Sequence, residues 1–283
     1  MRKGIKILNL NVKDIKYKKL IIFNMKIQIS DKKQKDIFIS LFQLLKNCSS
    51  HVNISFYNEN IHIQGMDKSH ICLYDVKIDN KWFTSYDIKE KTQLCFDSSV
   101  FHSIISTKSE NQDLVIQMED NNSDILYIQF LPQNKTSKGD FKKSFKIPLI
   151  EYEYEEMNIP VVDYDAEFSL SSKQMNDVLS ELSNFGTDIL IKCTETEINL
   201  TTNGVTGEMN VEIPIEDLNI YSIVEGEEIK LTYSLSYIYK MCISNKLSTA
   251  VDFSLSNDCP MKINYHLGEN SSLVFFIAPK MND

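Results

Sequence analysis

Short segments in which apolar and polar residues alternate recur along the chain. Clear examples are VNISF (52–56), IHIQ (61–64) and VDFSL (251–255). A period of two is typical of a β-strand that buries one face and exposes the other. These segments predict β-strands, and the small number of glycines and prolines predicts long structured segments.

Four other segments have apolar residues at spacings of three and four. They lie near 36–46, 99–107, 173–185 and 235–243. This spacing places the apolar side chains on one face of an amphipathic helix. Strands and helices together predict an α+β fold.

The order of these elements occurs twice. A helical pattern followed by two short strands, a polar turn and another strand spans 41–78 and again 178–213. A second unit, in which a helix separates strands, spans 94–130 and again 229–267. Because the two units alternate in the same order, we predict a duplicated chain with two topologically similar domains.

The predicted domains are residues 25–148 and 166–283. Residues 149–165 combine clustered glutamates with tyrosines and a proline, which predicts an extended surface connector between the domains. Residues 1–24 carry seven basic side chains against one acidic one. We interpret them as a basic N-terminal extension with little regular structure.

Composition argues against several classes of function. The formal net charge is −9, so an ordinary broad basic surface for nucleic acid is not expected. The six cysteines contain no C-x-x-C pair and the five histidines show no metal-ligand spacing, so we expect no metal. Phosphate-binding glycine loops and hydrolase motifs are also missing from the sequence, which predicts a protein without catalytic residues or a cofactor. No apolar run approaches the ~20 residues of a membrane helix.

Several short motifs resemble one known family, in the correct order. The segment IQGMDKSHICL (63–73) resembles L-Q-x-M-D-x-S-H-V-x-L of the proliferating cell nuclear antigen family of sliding DNA clamps. Likewise ELSNFG (181–186) and NLTTNG (199–204) resemble its D-L-S-x-x-G and K-F-x-x-x-G, and IAPKM (277–281) resembles its L-A-P-K-I ending. The likeness runs from about residue 25 to the C-terminus.

The resemblance implies the DNA clamp fold: helices that line a channel, antiparallel sheets outside, and three identical subunits that close a homotrimeric ring around duplex DNA. A ring holds DNA by encirclement, so an acidic body is no obstacle. The resemblance also implies a pocket beneath the connector for partner peptides of the form Q-x-x-aliphatic-x-x-aromatic-aromatic. By position, the pocket residues are Met66, His70, Ile71, Leu73, Met157, Ile159, Pro160, Pro260, Phe276, Ala278, Pro279 and Lys280.

Two predicted edge strands carry opposite charge. In DFKKSFKI (140–147), alternation groups Phe141 with the other apolar residues and places Lys142 and Lys146 on the opposite face. In GEMNVEI (207–213), Met209 lies on the apolar face and the glutamates lie opposite it. Such edges suit a head-to-tail subunit contact, although charge on an edge strand also serves simply to prevent aggregation. The interface residues predicted are Phe141, Lys142, Lys146, Glu208, Met209 and Glu212.

Lysines on or beside the helices are candidates for contacts with DNA phosphates. They are Lys32, Lys33, Lys35, Lys46, Lys108, Lys173, Lys240 and Lys246. At helix positions where the family usually carries further basic residues, this chain has His102 or Ser103, Asp177, Ser180 and Ser236. The sequence therefore predicts weak direct affinity for DNA.

The favoured function is a processivity factor in DNA replication and repair. Its expected partners are DNA polymerase, the clamp loader, flap endonuclease and DNA ligase, and its expected location is the nucleus, or a viral replication compartment if the chain is viral. Three alternatives remain: a subunit of a heterotrimeric checkpoint clamp, a viral clamp-like processivity factor that is monomeric, and an enzyme on a duplicated α+β scaffold.

Overall fold

The computed structural model of the chain describes residues 23–107, 110–119, 124–134, 141–152 and 156–280. In these ranges the predicted strands and helices are present, and the helices begin and end within four residues of the predicted positions. The elements of the first half are β1 Met25–Ile29, α1 Lys32–Cys48, β2 His51–Phe56, β3 Asn60–Met66, β4 Cys72–Asp79, β5 Ser85–Ile88, β6 Thr92–Asp97, α2 Ser98–Ile105, β7 Gln112–Met118, β8 Ile125–Pro132 and β9 Lys143–Pro148.

The second half repeats this order. Its elements are β10 Ala166–Ser171, α3 Ser172–Leu182, β11 Asp188–Cys193, β12 Glu197–Gly204, β13 Gly207–Pro214, β14 Ile220–Ile223, β15 Ile229–Ser234, α4 Leu235–Cys242, β16 Ala250–Ser256, β17 Cys259–Gly268 and β18 Ser271–Ile277. The predicted duplication extends to single contacts. Tyr86 donates to the carbonyl of Tyr57, and its equivalent Tyr221 donates to the carbonyl of Thr194. The predicted α+β fold with two topologically similar halves is therefore confirmed.

The strands of both halves form antiparallel sheets. Each half has one five-stranded and one four-stranded set with the same pairing. The second half's β14-β10-β16-β17-β18 continues into the first half's β4-β3-β2-β6, because β18 pairs with β4, and together they form one nine-stranded sheet. The other two sets, β5-β1-β7-β8-β9 and β13-β12-β11-β15, end at β9 and β13.

The helices cover one face of these sheets. Asp31 caps α1 by accepting from Gln34 N at 2.8 Å, and Asp97 caps α2 in the same way through Val100 N. These side chains satisfy backbone donors that the first helical turn leaves unpaired. Phe42 of α1 packs on Phe101 of α2 with ring centroids 4.5 Å apart, which joins the two helices over the buried face of the sheet.

A short loop between β3 and β4 is built around one carboxylate. Asp67 is 8% exposed; its Oδ1 accepts from the backbone N–H groups of Ile71 and Cys72 at 2.8 and 2.7 Å. Its Oδ2 accepts from Ser69 N and from the Tyr237 hydroxyl on α4, both at 2.9 Å. Burial works to raise the pKa of Asp67, but these four hydrogen bonds lower it overall.

We expect Asp67→Asn to destabilise the fold at neutral pH. The amide keeps the oxygen that accepts from Ile71 N and Cys72 N, but the NH2 group that replaces Oδ2 cannot accept from Ser69 N or from the Tyr237 hydroxyl. Leaving such donors unpaired costs about 1–3 kcal/mol. Because the folded-state pKa of Asp67 is lowered, its contribution is complete above the unfolded pKa of ~3.9 and is lost as pH falls through the folded value. Urea unfolding at a fixed protein concentration measures both effects.

The gap in unfolding free energy between the unaltered chain and the variant should therefore shrink from about pH 5 to about pH 3. Asp258→Asn, at an exposed turn position, is the matched control and should change little. A gap that stays constant across this pH range contradicts the role given to the carboxylate.

Candidate functional site

An apolar cavity of about 240 Å³ lies where the connector crosses the nine-stranded sheet. Its walls come from three separated segments: the β3–β4 region, the connector, and the β17–β18 region. Ten of the twelve residues predicted for the partner pocket line it, namely Met66, His70, Ile71, Leu73, Met157, Ile159, Pro160, Pro260, Phe276 and Ala278. A concave apolar site with few polar groups is the usual form of a ligand pocket.

The cavity floor is formed where the two domains join. Phe276 of β18 and Leu73 of β4 are paired residues in the β18–β4 ladder, and both side chains point to the outer face. The Ala278 N–H continues the contact by donating to Ile71 O at 3.0 Å. His70 has a positive φ of 56°, and its N–H donates to Asp67 O, which holds the turn beside the cavity.

The last two predicted pocket residues lie elsewhere. Lys280 pairs with Asp188 of β11, with Nζ 2.6 Å from both carboxylate oxygens, and its N–H donates to Thr232 O. Pro279 is also outside the residues that line the cavity. The C-terminal segment therefore turns away from the pocket after Ala278, because Lys280 has an acidic partner on another sheet.

Four pocket residues were missed from the sequence: Asn158, Val162, Tyr164 and Cys259. The signal for two of them was available, because Val162 and Tyr164 follow Pro160 at a spacing of two and an extended chain presents alternate residues to one side. The Tyr164 hydroxyl donates to Pro260 O at 3.5 Å. Burial, followed by Cys259 and Glu167, raises the pKa of Tyr164 to about 12.

The predicted interface residues lie on two separate sheet edges. On β9, Phe145 and Ile147 face inward and Lys146 is exposed; on β13, Glu208 and Glu212 are exposed while Met209 is half-buried. Within one chain the lysines and glutamates are therefore not brought together. Phe141 precedes β9 and is 75% exposed, so it does not pack with the inward face of the strand as the alternation suggested.

The candidate DNA lysines have different environments. Lys33, Lys173, Lys240 and Lys246 are exposed. Lys32 pairs with Glu110 at 2.5 Å, and the hydrogen bond to this carboxylate raises the pKa of Lys32. Lys108 lies outside the described residues.

Lys35 needs a correction. It is 1% exposed, and its Nζ donates to the carbonyls of Glu110 and Gln112 at 3.0 and 2.6 Å. The helical pattern did not predict this, because the two carbonyls lie far along the chain, one in the turn before β7 and one at the start of β7. Because its ammonium group is buried and hydrogen-bonded inside the fold, Lys35 is not available to contact DNA.

A second cavity, which is basic, is lined by residues from both halves of the chain. It measures about 350 Å³ and is lined by Lys46, Lys68 and Lys240 together with serine side chains at the end of α1 and the start of α2. Lys46 Nζ lies 3.2 Å from His102 Nδ1; burial and then the charge of Lys46 lower the pKa of His102. Lys68 was not predicted, because it lies in a loop rather than on a helix.

Within the described ranges, no group of three or more histidine, cysteine or acidic side chains is arranged to hold a metal ion. The helices described there are also too short or too polar to cross a membrane.

Comparison with known proteins identifies one family along almost the whole chain. Residues 29–156 match the family described as "Proliferating cell nuclear antigen, N-terminal domain", and residues 158–280 match its C-terminal domain. A "Proliferating cell nuclear antigen" from Chaetomium thermophilum is 24% identical over 258 residues, covering 88% of this chain and 96% of the relative. A "DNA polymerase sliding clamp" from Thermococcus fumicolans is 23% identical over 246 residues, covering 87% and 95%.

A solved structure supports the fold independently. The proliferating cell nuclear antigen of Entamoeba histolytica superposes with a TM-score of 0.80 at 22% identity, covering 92% of this chain and 100% of that one. The N-terminal and C-terminal domain models match the first and second halves of the duplicated chain, respectively. The chain belongs to the proliferating cell nuclear antigen family of sliding clamps.

Proposed function

We propose that three copies of this chain close a non-enzymatic ring around duplex DNA and act there as a processivity factor and recruitment platform. The observation that carries the proposal is the way in which the two halves of the chain join. β18 of the second half pairs with β4 of the first. The equivalents of these strands are β9 and β13, which end their sheets in the described chain.

The duplication supplies a template for the subunit contact. If a second copy docks as the second half docks on the first, its β13 pairs with β9 of this copy. The contact is head-to-tail, so it uses two different surfaces and closes into a ring when the rotation fits. Three subunits complete the ring by analogy with the family.

The register of this contact follows from the internal pairings. Phe145 pairs with Ile128 of β8 as Phe275 pairs with Ile263 of β17, so Phe145 and Phe275 are equivalent positions.

The partner strands fix the other side of the contact in the same way. Val211 pairs with Leu200 of β12 as Val76 pairs with Ile63 of β3, which makes Met209 the equivalent of Tyr74. Since Phe275 pairs with Tyr74 inside the chain, we expect Phe145 to pair with Met209 of the next subunit.

The same register brings opposite charges together. Ser272 pairs with Lys77 and Phe276 with Leu73 inside the chain. At the equivalent positions of the proposed junction, Lys142 faces Glu212 and Lys146 faces Glu208. Cross-strand pairs of opposite charge stabilise antiparallel strands by about 0.2–1 kcal/mol each.

Partner binding is assigned to the apolar cavity beneath the connector. Its size and lining suit aliphatic and aromatic anchors, and the extended connector offers backbone groups to an extended peptide. We propose polymerase, the clamp loader, flap endonuclease and ligase as partners. Held on one ring, such proteins act at a high effective concentration near DNA.

Self-complementary edges on one chain favour a homotrimer over a subunit of a heterotrimeric checkpoint clamp. They also argue against a monomeric viral factor, which has no use for paired edge charges. The eukaryotic relatives, among them those of Chaetomium thermophilum and Dictyostelium discoideum, support the nucleus as the proposed location.

Reversing the charge of Lys142 and Lys146 to glutamate should dissociate the ring into monomers. Two attractive charge pairs at each junction become repulsive, which weakens the free energy of association by about 2 kcal/mol per junction. Sedimentation velocity measures the result. Adding Glu208→Lys and Glu212→Lys to the same chain should restore the trimer.

The matched control reverses Lys81 and Lys89, which are exposed and outside both edges; it should stay trimeric. A trimer that survives the Lys142/Lys146 reversal contradicts the proposed register, whereas an unaltered chain that is monomeric contradicts the ring itself.

Linear duplex DNA should bind weakly to the isolated protein at physiological salt. At helix positions where the family usually carries basic residues, this chain has Ser180 and Ser236, and α3 presents Asp177 and Glu181 as exposed carboxylates. The logarithm of the affinity should fall linearly with the logarithm of the salt concentration, because phosphate contacts release counterions. Fluorescence anisotropy tests this, and tight binding that ignores salt is the contrary result.

Phe276→Ala should weaken the binding of a Q-x-x-aliphatic-x-x-aromatic-aromatic peptide about tenfold or more, since burying a large apolar side chain is worth about 1.5–3 kcal/mol. Val274→Ala, on the same outward face of β18 but outside the cavity, is the control. Isothermal titration calorimetry measures both. Equal losses in the two variants would place the peptide elsewhere.

A further inference from the structure

The connector is attached to the sheet by the side chain of a buried glutamine. Gln64 of β3 is 2% exposed. Its Oε1 accepts from Met157 N at 2.7 Å, and its Nε2 donates to Met157 O at 3.0 Å and to Asp75 Oδ1 at 3.1 Å. The side-chain amide therefore pairs with the backbone of Met157 as a neighbouring strand would.

A histidine reinforces this attachment from the adjacent position. The side chain of His62 is 11% exposed, with Nε2 2.7 Å from Asp75 Oδ1 and Nδ1 2.9 Å from Glu156 Oε1. The imidazole ring therefore bridges a strand residue, Asp75, and a connector residue, Glu156.

These residues lie one step along the strands from the pocket. In the β3–β4 ladder, Gln64 is opposite Asp75, and the next outward-facing pair is Met66 opposite Leu73. That pair lines the apolar cavity, and so does Met157, whose backbone Gln64 holds. The polar group and the apolar cavity thus share the same two strands, the same sheet face and the same connector residue.

We infer that His62, Gln64, Asp75 and Glu156 form a connector latch: a set of positioning residues that fixes the connector at Met157 and so keeps the cavity formed before a partner arrives. The inference rests on the proposed function, because it concerns how the same pocket is prepared. The ligand it serves is an extended peptide with aliphatic and aromatic anchors.

Holding the connector in place before binding raises the affinity for the peptide, and the size of the effect can be calculated. A peptide that needs the connector in place binds with an apparent Kd equal to the intrinsic Kd divided by the fraction of molecules whose connector is already placed. Reducing that fraction from nearly all to about a tenth weakens binding about tenfold. The latch residues need not touch the peptide for this to happen.

The second half of the chain contains a similar group that serves as a control. His266 Nε2 lies 3.0 Å from Asp252 Oδ2, and Asn264 donates to the same oxygen at 3.1 Å. The group lies on β16 and β17 of the same sheet, but the His266 side chain is 73% exposed. Removing His266 therefore deletes a histidine–aspartate contact without touching the connector.

The experiment compares Gln64→Ala, His62→Ala and Glu156→Ala with the control His266→Ala in the full chain. Titration calorimetry with the Q-x-x-aliphatic-x-x-aromatic-aromatic peptide should show a loss of about fivefold to tenfold for the three latch variants and less than twofold for the control. Hydrogen exchange followed by mass spectrometry should show faster exchange at 156–160 in the latch variants, while β3 and β4 stay protected.

A conservative variant separates positioning from a general loss of stability. Glu156→Gln keeps an oxygen that can accept from His62 Nδ1, so it should recover most of the peptide affinity and connector protection lost in Glu156→Ala. A Glu156→Gln variant as weak as Glu156→Ala overturns the hydrogen bond as the means by which Glu156 acts.

The remaining outcomes are distinct. An unaltered chain that does not bind the peptide contradicts the proposed function and, with it, the role of the latch. Peptide affinity and exchange at 156–160 that are the same in the unaltered chain and in Gln64→Ala overturn the latch alone. Weaker binding with unchanged exchange at 156–160 also overturns it, because the connector would then have stayed in place.

Discussion

The pairing of β18 with β4 is the constraint on which the rest of the structure depends. It converts two separate half-sheets into one nine-stranded sheet and fixes the two domains relative to each other. Its inward residues, such as Phe275 and Tyr74, are buried beneath the helices. Its outward pair, Phe276 and Leu73, forms the cavity floor. The joint that holds the domains together is therefore also the base of the candidate binding site.

The β18–β4 joint occurs within the chain. In the proposed ring, the equivalent pairing of β9 with β13 occurs between subunits. The outward pair differs between the two places. Phe276 and Leu73 are apolar, whereas their equivalents are Lys146 and Glu208. An apolar outward pair favours a ligand pocket, and a solvent-exposed charge pair stabilises only modestly. In the proposed ring, this one ladder position therefore carries an apolar pair at the joint within the chain and a charged pair at the junction between subunits.

Much of this could be predicted from the sequence, for reasons visible in particular residues. Alternation and helical spacing report which face is buried, so the elements, the duplication and most of the pocket followed from local pattern and family motifs. Local pattern does not report the partner of a polar group. The sequence pattern placed Lys35 on the surface, but its ammonium group is buried and donates to two carbonyls at the start of β7 and in the turn before it. Lys280 was assigned to the pocket from its place in the family's ending, and local pattern did not show its pairing with Asp188, 92 residues away. Gln64 lay within the recognised motif, yet its contact with Met157 depends on the path of the connector.

At Met157 a side chain holds the connector, rather than strand pairing. Near its ends the connector is anchored through backbone groups, with Ile150 N donating to Cys95 O and Asp165 N to Leu255 O. Between these points an additional strand pairing would use the backbone donors and acceptors on which an extended ligand depends. Gln64 instead satisfies both backbone groups of one residue, Met157, at the edge of the cavity. The buried amide of Gln64 therefore holds the connector at one residue through side-chain hydrogen bonds and leaves the backbone groups of the neighbouring connector residues out of this contact.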